Sequence, residues 1–260
     1  MKIPIYQVDA FTDKLFGGNP AAVCPLEKWL DDTVLQHIAA ENNLAETSFF
    51  IKDIAGFHIR WFTPKSEVDL CGHATLATAF VLFESLGHKG NTISFQSRSG
   101  TLTVTKENDW LTLNFPVDKL KKLELTPEIL SCFDRKPMEV HEGLSDIMLV
   151  FANEQEIKEI VPNLNMIAQF ERRGMIVTAK GNDVDFVSRF FAPAVGIDED
   201  PVTGSAHTTL TPYWSKQLNK TTLTAKQISE RGGFLKCKLL SDRVEISGQA
   251  KMYMKGEITI

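Results

Sequence analysis

Residues 57–64 read FHIRWFTP, and residues 186–193 read FVSRFFAP. Phe, Arg, Phe and Pro stand at the same places in both, with Trp61 opposite Phe190. Alternating aromatic and aliphatic residues ended by a proline predict a strand, because proline cannot donate to a sheet ladder. After each strand comes an acidic loop with a glycine, EVDLCGHA at 67–74 and DEDPVTGSA at 198–206. An apolar segment follows in both places, HATLATAFVLFESLG from His73 and SAHTTLTPYWSKQLN from Ser205. Two further matches keep the order. Ser99-Gly100-Thr101-Leu102 corresponds to Gly232-Gly233-Phe234-Leu235, and Trp110-Leu111-Thr112-Leu113 to Arg243-Val244-Glu245-Ile246. The chain carries an internal duplication.

The repeat predicts an α+β fold of two pseudo-symmetric domains, 1–117 and 118–260. Phe115-Pro116 closes the first meander, and the charged run from Asp118 to Glu124 suits a crossing segment. Each half is expected to wrap an antiparallel sheet around a central helix, over 74–86 and 206–218. The first of these is apolar nearly all round, as a helix inside a sheet must be. Pro212 falls inside the second, where a missing N–H restricts it to the first turns or kinks it.

Composition narrows the class. In 260 residues the hydrophobic share is 43% and the charged share 23%, those of a globular protein. Net charge is −5, and no basic run exceeds Lys121-Lys122 or Arg172-Arg173. A nucleic-acid partner needs a concentrated basic face and is not expected. The N-terminus MKIPIYQVDAF alternates like a strand and lacks a signal-type apolar core. The weakly charged run from Leu70 to Phe83 is too short to span a bilayer. A cytoplasmic location without membrane association is expected. Cys24, Cys71, Cys132 and Cys237 show no CxxC spacing, so neither a zinc ribbon nor a dithiol motif is predicted.

The duplicated loop has a physical use. A strand that returns through a glycine turn into a helix exposes the first helical N–H groups, which favour a carboxylate or other anion. Two such domains facing each other would aim two helix starts at one cleft, where an active site is expected.

Four motifs carry a resemblance to a known family. Gly18-Asn19-Pro20-Ala21-Ala22-Val23, Asn43-Leu44-Ala45-Glu46-Thr47-Ser48-Phe49, Asp69-Leu70-Cys71-Gly72-His73-Ala74-Thr75 and Glu199-Asp200-Pro201-Val202-Thr203-Gly204-Ser205-Ala206 resemble the PhzF family. That is the phenazine biosynthesis isomerase-like group, which shares the diaminopimelate epimerase fold. The match runs over essentially the whole chain. It implies an isomerase with no metal and no organic cofactor, acting on a small carboxylate-bearing metabolite, and it extends to a homodimer. It places Glu46 on the family's catalytic glutamate and Gly72-His73 on its Gly-His pair. Asp200 and Ser205 fall on its remaining polar positions. His73 and Asp200 are then catalytic candidates beside Glu46. Gly72, Gly204, Ser205 and Asn19 are candidates for substrate binding.

The residues themselves leave two readings of Glu46: a lone glutamate at a strand edge is most often a solvated surface residue, while a carboxylate in only one half of a duplicated fold suits a one-base shuttle. Glu46 stands between an expected helix (31–41) and an expected strand (47–51), while the matching stretch Gly174-Met175-Ile176-Val177-Thr178 has no acid. A carboxylate enclosed in an apolar cleft holds a proton more readily, which suits a group that takes one and returns it. The rival within this fold is a racemase with a thiol on each face of the substrate carbon. Cys71 occupies the first such place, but Thr203 and Ser205 flank the second glycine, so that mechanism is disfavoured and Cys71 reads as a packing residue. Asp200 has a second reading as a cap for the following helix. A non-catalytic small-anion binder on the same scaffold would need the glycine loops and not Glu46.

Overall fold

The computed structural model describes residues 1–54 and 56–260. It divides into two compact units, Met1–Asn114 with Ser247–Ile260, and Phe115–Ile246. The first break lies close to the boundary read from the repeat. The tail, which that reading left in 118–260, goes with the first unit, because its strand Ala250–Thr259 pairs antiparallel along the whole first strand, from Lys2↔Thr259 to Ala10↔Ala250. The repeat carries no signal for this tail, since its motifs end at 243–246.

The first unit runs β1 (Lys2–Ala10), β2 (Asn19–Pro25), α1 (Asp32–Asn42), β3 (Glu46–Asp53), β4 (Gly56–Phe62), β5 (Glu67–Val68), α2 (Gly72–Glu84), β6 (Thr92–Ser97), β7 (Gly100–Glu107) and β8 (Trp110–Pro116). β2 pairs parallel with β3, β3 antiparallel with β4, β4 parallel with β6, and β6 antiparallel with β7. The sheet is therefore mixed. Parallel neighbours need a crossover, and α1 and α2 supply the two. α2 is buried at every position from Gly72 to Ala79 and lies against β1, β2, β3 and the C-terminal strand. A helix that is apolar all round has found an enclosed place.

The second unit repeats this wiring. Its elements are β9 (Lys121–Leu123), α3 (Pro127–Leu130), β10 (Glu139–Glu142), β11 (Asp146–Val150), α4 (Glu154–Glu159), α5 (Leu164–Ile167), β12 (Gly174–Lys180), β13 (Phe186–Phe191), α6 (His207–Leu218), β14 (Thr222–Gln227), β15 (Gly233–Leu239) and β16 (Arg243–Gly248). β11 pairs parallel with β12, β12 antiparallel with β13, β13 parallel with β14, and β14 antiparallel with β15. α6 runs through Pro212 without interruption, although it is less uniformly buried than α2. Among the described residues no helix is long and apolar enough to cross a membrane.

The pairing registers turn the sequence repeat into residue equivalences. Phe62 lies opposite Thr47, and its counterpart Phe191 opposite Met175. Glu46 therefore corresponds to Gly174, one residue earlier in each strand, and Ala45 to Arg173. The same frame explains the acidic loops. Arg60 of β4 donates from Nε and Nη2 to the two oxygens of Glu67, both at 2.7 Å. Arg189 of β13 does the same to Glu199, at 2.7 and 2.8 Å. Each guanidinium also lies over a neighbouring ring, Phe62 at 5.1 Å and Phe191 at 4.9 Å. The forked geometry fixes each glycine loop to its own strand. Glu67 and Glu199 belong to the scaffold.

Candidate active site

In the first unit, three elements deliver side chains to one point. Gly18 turns the chain at φ +65°, and a Cβ there would sit 2.1 Å from the carbonyl oxygen of Ala10. Only glycine makes that turn without strain, and it sets Asn19 at the head of β2. Glu46 opens β3, and His73 is the second residue of α2, preceded by Cys71 at the cap position. Asn19, Cys71 and His73 are buried, and Glu46 is 9% exposed.

The imidazole of His73 meets different partners at its two nitrogens. Nε2 lies 3.0 Å from Oε2 of Glu46. Nδ1 faces the Asn19 side-chain nitrogen at 3.2 Å and the Cys71 sulfur at 3.6 Å. The Nε2–Oε2 approach has the distance of an ion pair but lacks hydrogen-bond alignment, which leaves both atoms without an aligned partner among the described residues. Burial of the ring opposes its charged form. The adjoining Cys71 sulfur and Glu46 carboxylate oppose burial and prevail, so the His73 pKa lies well above the ordinary 6.5. The Cys71 thiol is pushed up, chiefly by burial and secondarily by Glu46. Of the two groups that favour the charged form of His73, the Glu46 carboxylate lies nearer the ring, at 3.0 Å against 3.6 Å for the Cys71 sulfur. The Asn19 amide follows the ring, presenting oxygen to a protonated Nδ1 and nitrogen to a bare one.

Glu46, Cys71 and His73 offer O, S and N atoms within 4.8 Å of one another. The three could be read as metal ligands, but sulfur and carboxylate address opposite ring nitrogens.

In the second unit the structure separates the predicted residues into two groups. Asp200 accepts from the hydroxyl of Thr203 at 2.5 Å, and Gln227 ties the turn by bonds to the Asp200 carbonyl at 2.7 Å and from the Thr203 N–H at 2.8 Å. The cap position of α6 is Ala206, with no side-chain cap bond. The capping reading of Asp200 therefore fails: Asp200 closes the turn ahead of the helix start. Gly204 and Ser205 form the turn into α6, with the Ser205 carbonyl accepting from the N–H and hydroxyl of Thr208. The Ser205 hydroxyl accepts from Nη1 of Arg173 at 2.9 Å. Arg173 was missed in the sequence, where it read as half of an ordinary basic pair; its place beside the counterpart of Glu46 was the available signal.

His207 is fully buried and donates from Nδ1 to the Thr203 carbonyl at 2.9 Å, while Nε2 has no partner among the described residues. Burial lowers its pKa from 6.5 to about 4. The unfolded chain then binds the extra proton first. Stability from this group is full above pH 6.5 and is lost as pH falls toward 4, by roughly 3 kcal/mol. Urea unfolding at pH 7 and pH 4 should show this loss. His207→Gln should flatten the slope between the two pH values, and an unchanged slope would contradict the assignment.

Comparison with known proteins fits this picture. The profile of the phenazine biosynthesis-like family PhzC-PhzF matches residues 8–256. An uncharacterized isomerase of Pseudomonas aeruginosa is 46% identical over 260 residues, covering 100% of both chains. A crystal structure of a PhzF-family phenazine biosynthesis protein from Enterococcus faecalis is 48% identical, with a TM-score of 0.97 and 100% of both chains covered. A hydroxyproline epimerase from Agrobacterium vitis, solved with trans-4-hydroxy-L-proline, has a TM-score of 0.65 at 10% identity, covering 99% of this chain and 92% of that one. That last likeness shows a shared fold alone. The chain belongs to the PhzC-PhzF phenazine biosynthesis-like family, with the diaminopimelate epimerase-like fold, and is an isomerase.

Proposed function

We propose that the protein moves a proton within a small carboxylate-bearing substrate, with Glu46 as the base that removes it and the acid that returns it. The observation that supports this most is the buried Glu46–His73 contact of 3.0 Å, placed where the other half has only Gly174. One carboxylate in a duplicated scaffold suits a one-base shuttle. His73 keeps Glu46 oriented and balances its charge until the proton arrives. Asn19 and Gly72 frame that centre. Asp200, Gly204 and Ser205 are assigned to substrate recognition, with Asp200 a second candidate for proton delivery. The reaction needs no cofactor: a carboxylate beside an imidazolium is a sufficient acid–base pair.

The test is solvent deuterium incorporation into small cyclic and amino carboxylic acids, read by mass spectrometry together with product isomerisation. Label or isomer formation that depends on Glu46 supports the reading. A carboxylate that binds but neither exchanges nor isomerises would favour the non-catalytic binder. Cys71→Ala separates the thiol mechanism. It should keep the exchange rate within about tenfold of wild type, against the loss of about 10³-fold expected for a required base. A loss of the larger size would return Cys71 to the reaction.

A further inference from the structure

The two halves use equivalent positions for different chemistry. In the first, Glu46 at the start of β3 meets His73, the residue after the loop glycine. In the second, Gly174 starts the equivalent strand, and the residue before it, Arg173, meets Ser205, again the residue after the loop glycine. Acid and imidazole on one side are answered by guanidinium and hydroxyl on the other.

Arg173 is held on several sides. Nε donates to Oδ1 of Asp146 at 2.9 Å, and Nη2 donates to Oδ2 of the same carboxylate. The guanidinium lies over the Phe190 ring at 5.2 Å. Asp146 itself is buried at 3% exposure and stands opposite Gly174 in the β11–β12 pairing. One edge of the fork is thus anchored, and the remaining nitrogen is aimed at Ser205.

This has a consequence for the hydroxyl. A serine oxygen accepts bonds and donates one. With a cationic N–H already donating to it, Oγ has its own proton to offer outward, and the accepted bond polarises that proton. No acceptor for it stands among the described residues. A hydroxyl so committed prefers an acceptor of full negative charge, because charge-assisted bonds are about twice as strong as neutral ones. Lysine could supply charge but not the planar fork that grips Asp146 and Ser205 together.

We propose that Arg173, fixed by Asp146, is a positioning residue that makes Ser205 a donor for a carboxylate oxygen and so selects carboxylate over carboxamide. This rests on the reading that the substrate carries a carboxylate. The probes are benzoate and its neutral isostere benzamide, titrated calorimetrically. Neither requires turnover, so the outcome is independent of whether Glu46 moves a proton. Arg173→Met alone would strand the buried Asp146 charge. The variants are therefore Ser205→Ala, Arg173→Lys and the paired Asp146→Asn/Arg173→Met, each checked for folding by its melting transition.

Wild type should bind benzoate about tenfold or more tightly than benzamide. Ser205→Ala and both Arg173 variants should lose most of that ratio while benzamide affinity stays level. A purely structural Arg173 would weaken both probes together and keep the ratio, which would overturn the proposal. So would a wild type with no preference, or a ratio kept in both Arg173 variants and lost only in Ser205→Ala.

Discussion

Glu46→Gln is expected to lower deuterium exchange into the substrate by about 10³-fold while leaving the fold intact. Glutamine keeps the shape and hydrogen-bonding atoms of the side chain but cannot accept a proton near neutral pH. It also removes the charge that sustains the imidazolium. Burial then acts on His73 with less opposition, and its raised pKa should fall. Two measurements check the argument together: exchange by mass spectrometry, and NMR titration of the His73 ring in both proteins. A variant that exchanges at a third of the wild-type rate or more would remove Glu46 from the reaction. A His73 titration unmoved by the change would mean that the 3.0 Å contact is not electrostatically important.

The parts of this molecule that rest on periodicity and repetition were legible in the sequence. The paired strands around Arg60 and Arg189, the glycine loops and the central helices all fall where the duplication put them, within a few residues. So does Glu46, because its strand is local and its missing counterpart could be read by alignment. What escaped depends on pairing between distant segments. Asp146 and Arg173 meet only through the parallel β11–β12 register, and nothing in the local pattern of either announces it. The tail strand Ala250–Thr259 lies beyond the repeat, and its partner is at the opposite end of the chain. Glu67 and Glu199 were visible as acidic residues, but their use as clamps follows from cross-strand geometry. Of the two readings of Asp200, the cap fails because Ala206 holds the cap position and the helix starts at His207, where it was expected to within one residue.

Gly174→Glu, which would install a second base at the position equivalent to Glu46, is expected to prevent stable folding. A Cβ at Gly174 would lie 2.6 Å from the Phe191 carbonyl oxygen, 2.6 Å from the tip of the Phe190 ring and 3.0 Å from the Ala192 side chain. The ring could shift, but the carbonyl belongs to the β12–β13 ladder and cannot move without breaking it. Overpacking of this kind costs about 1–3 kcal/mol, and a carboxylate buried beside Asp146 adds several more. The sum, about 5 kcal/mol or above, approaches the whole stability of an ordinary domain. Gly174→Ala isolates the steric part and should cost about 2–3 kcal/mol in urea unfolding. If Gly174→Ala were neutral, steric exclusion would not explain the missing second base, and its cause would have to be sought in the chemistry. If the expected losses are found, packing alone forbids a two-carboxylate version of this scaffold. The one-sidedness of the proposed proton shuttle would then follow from the close approach of β12 to β13, which leaves room at Gly174 for backbone only.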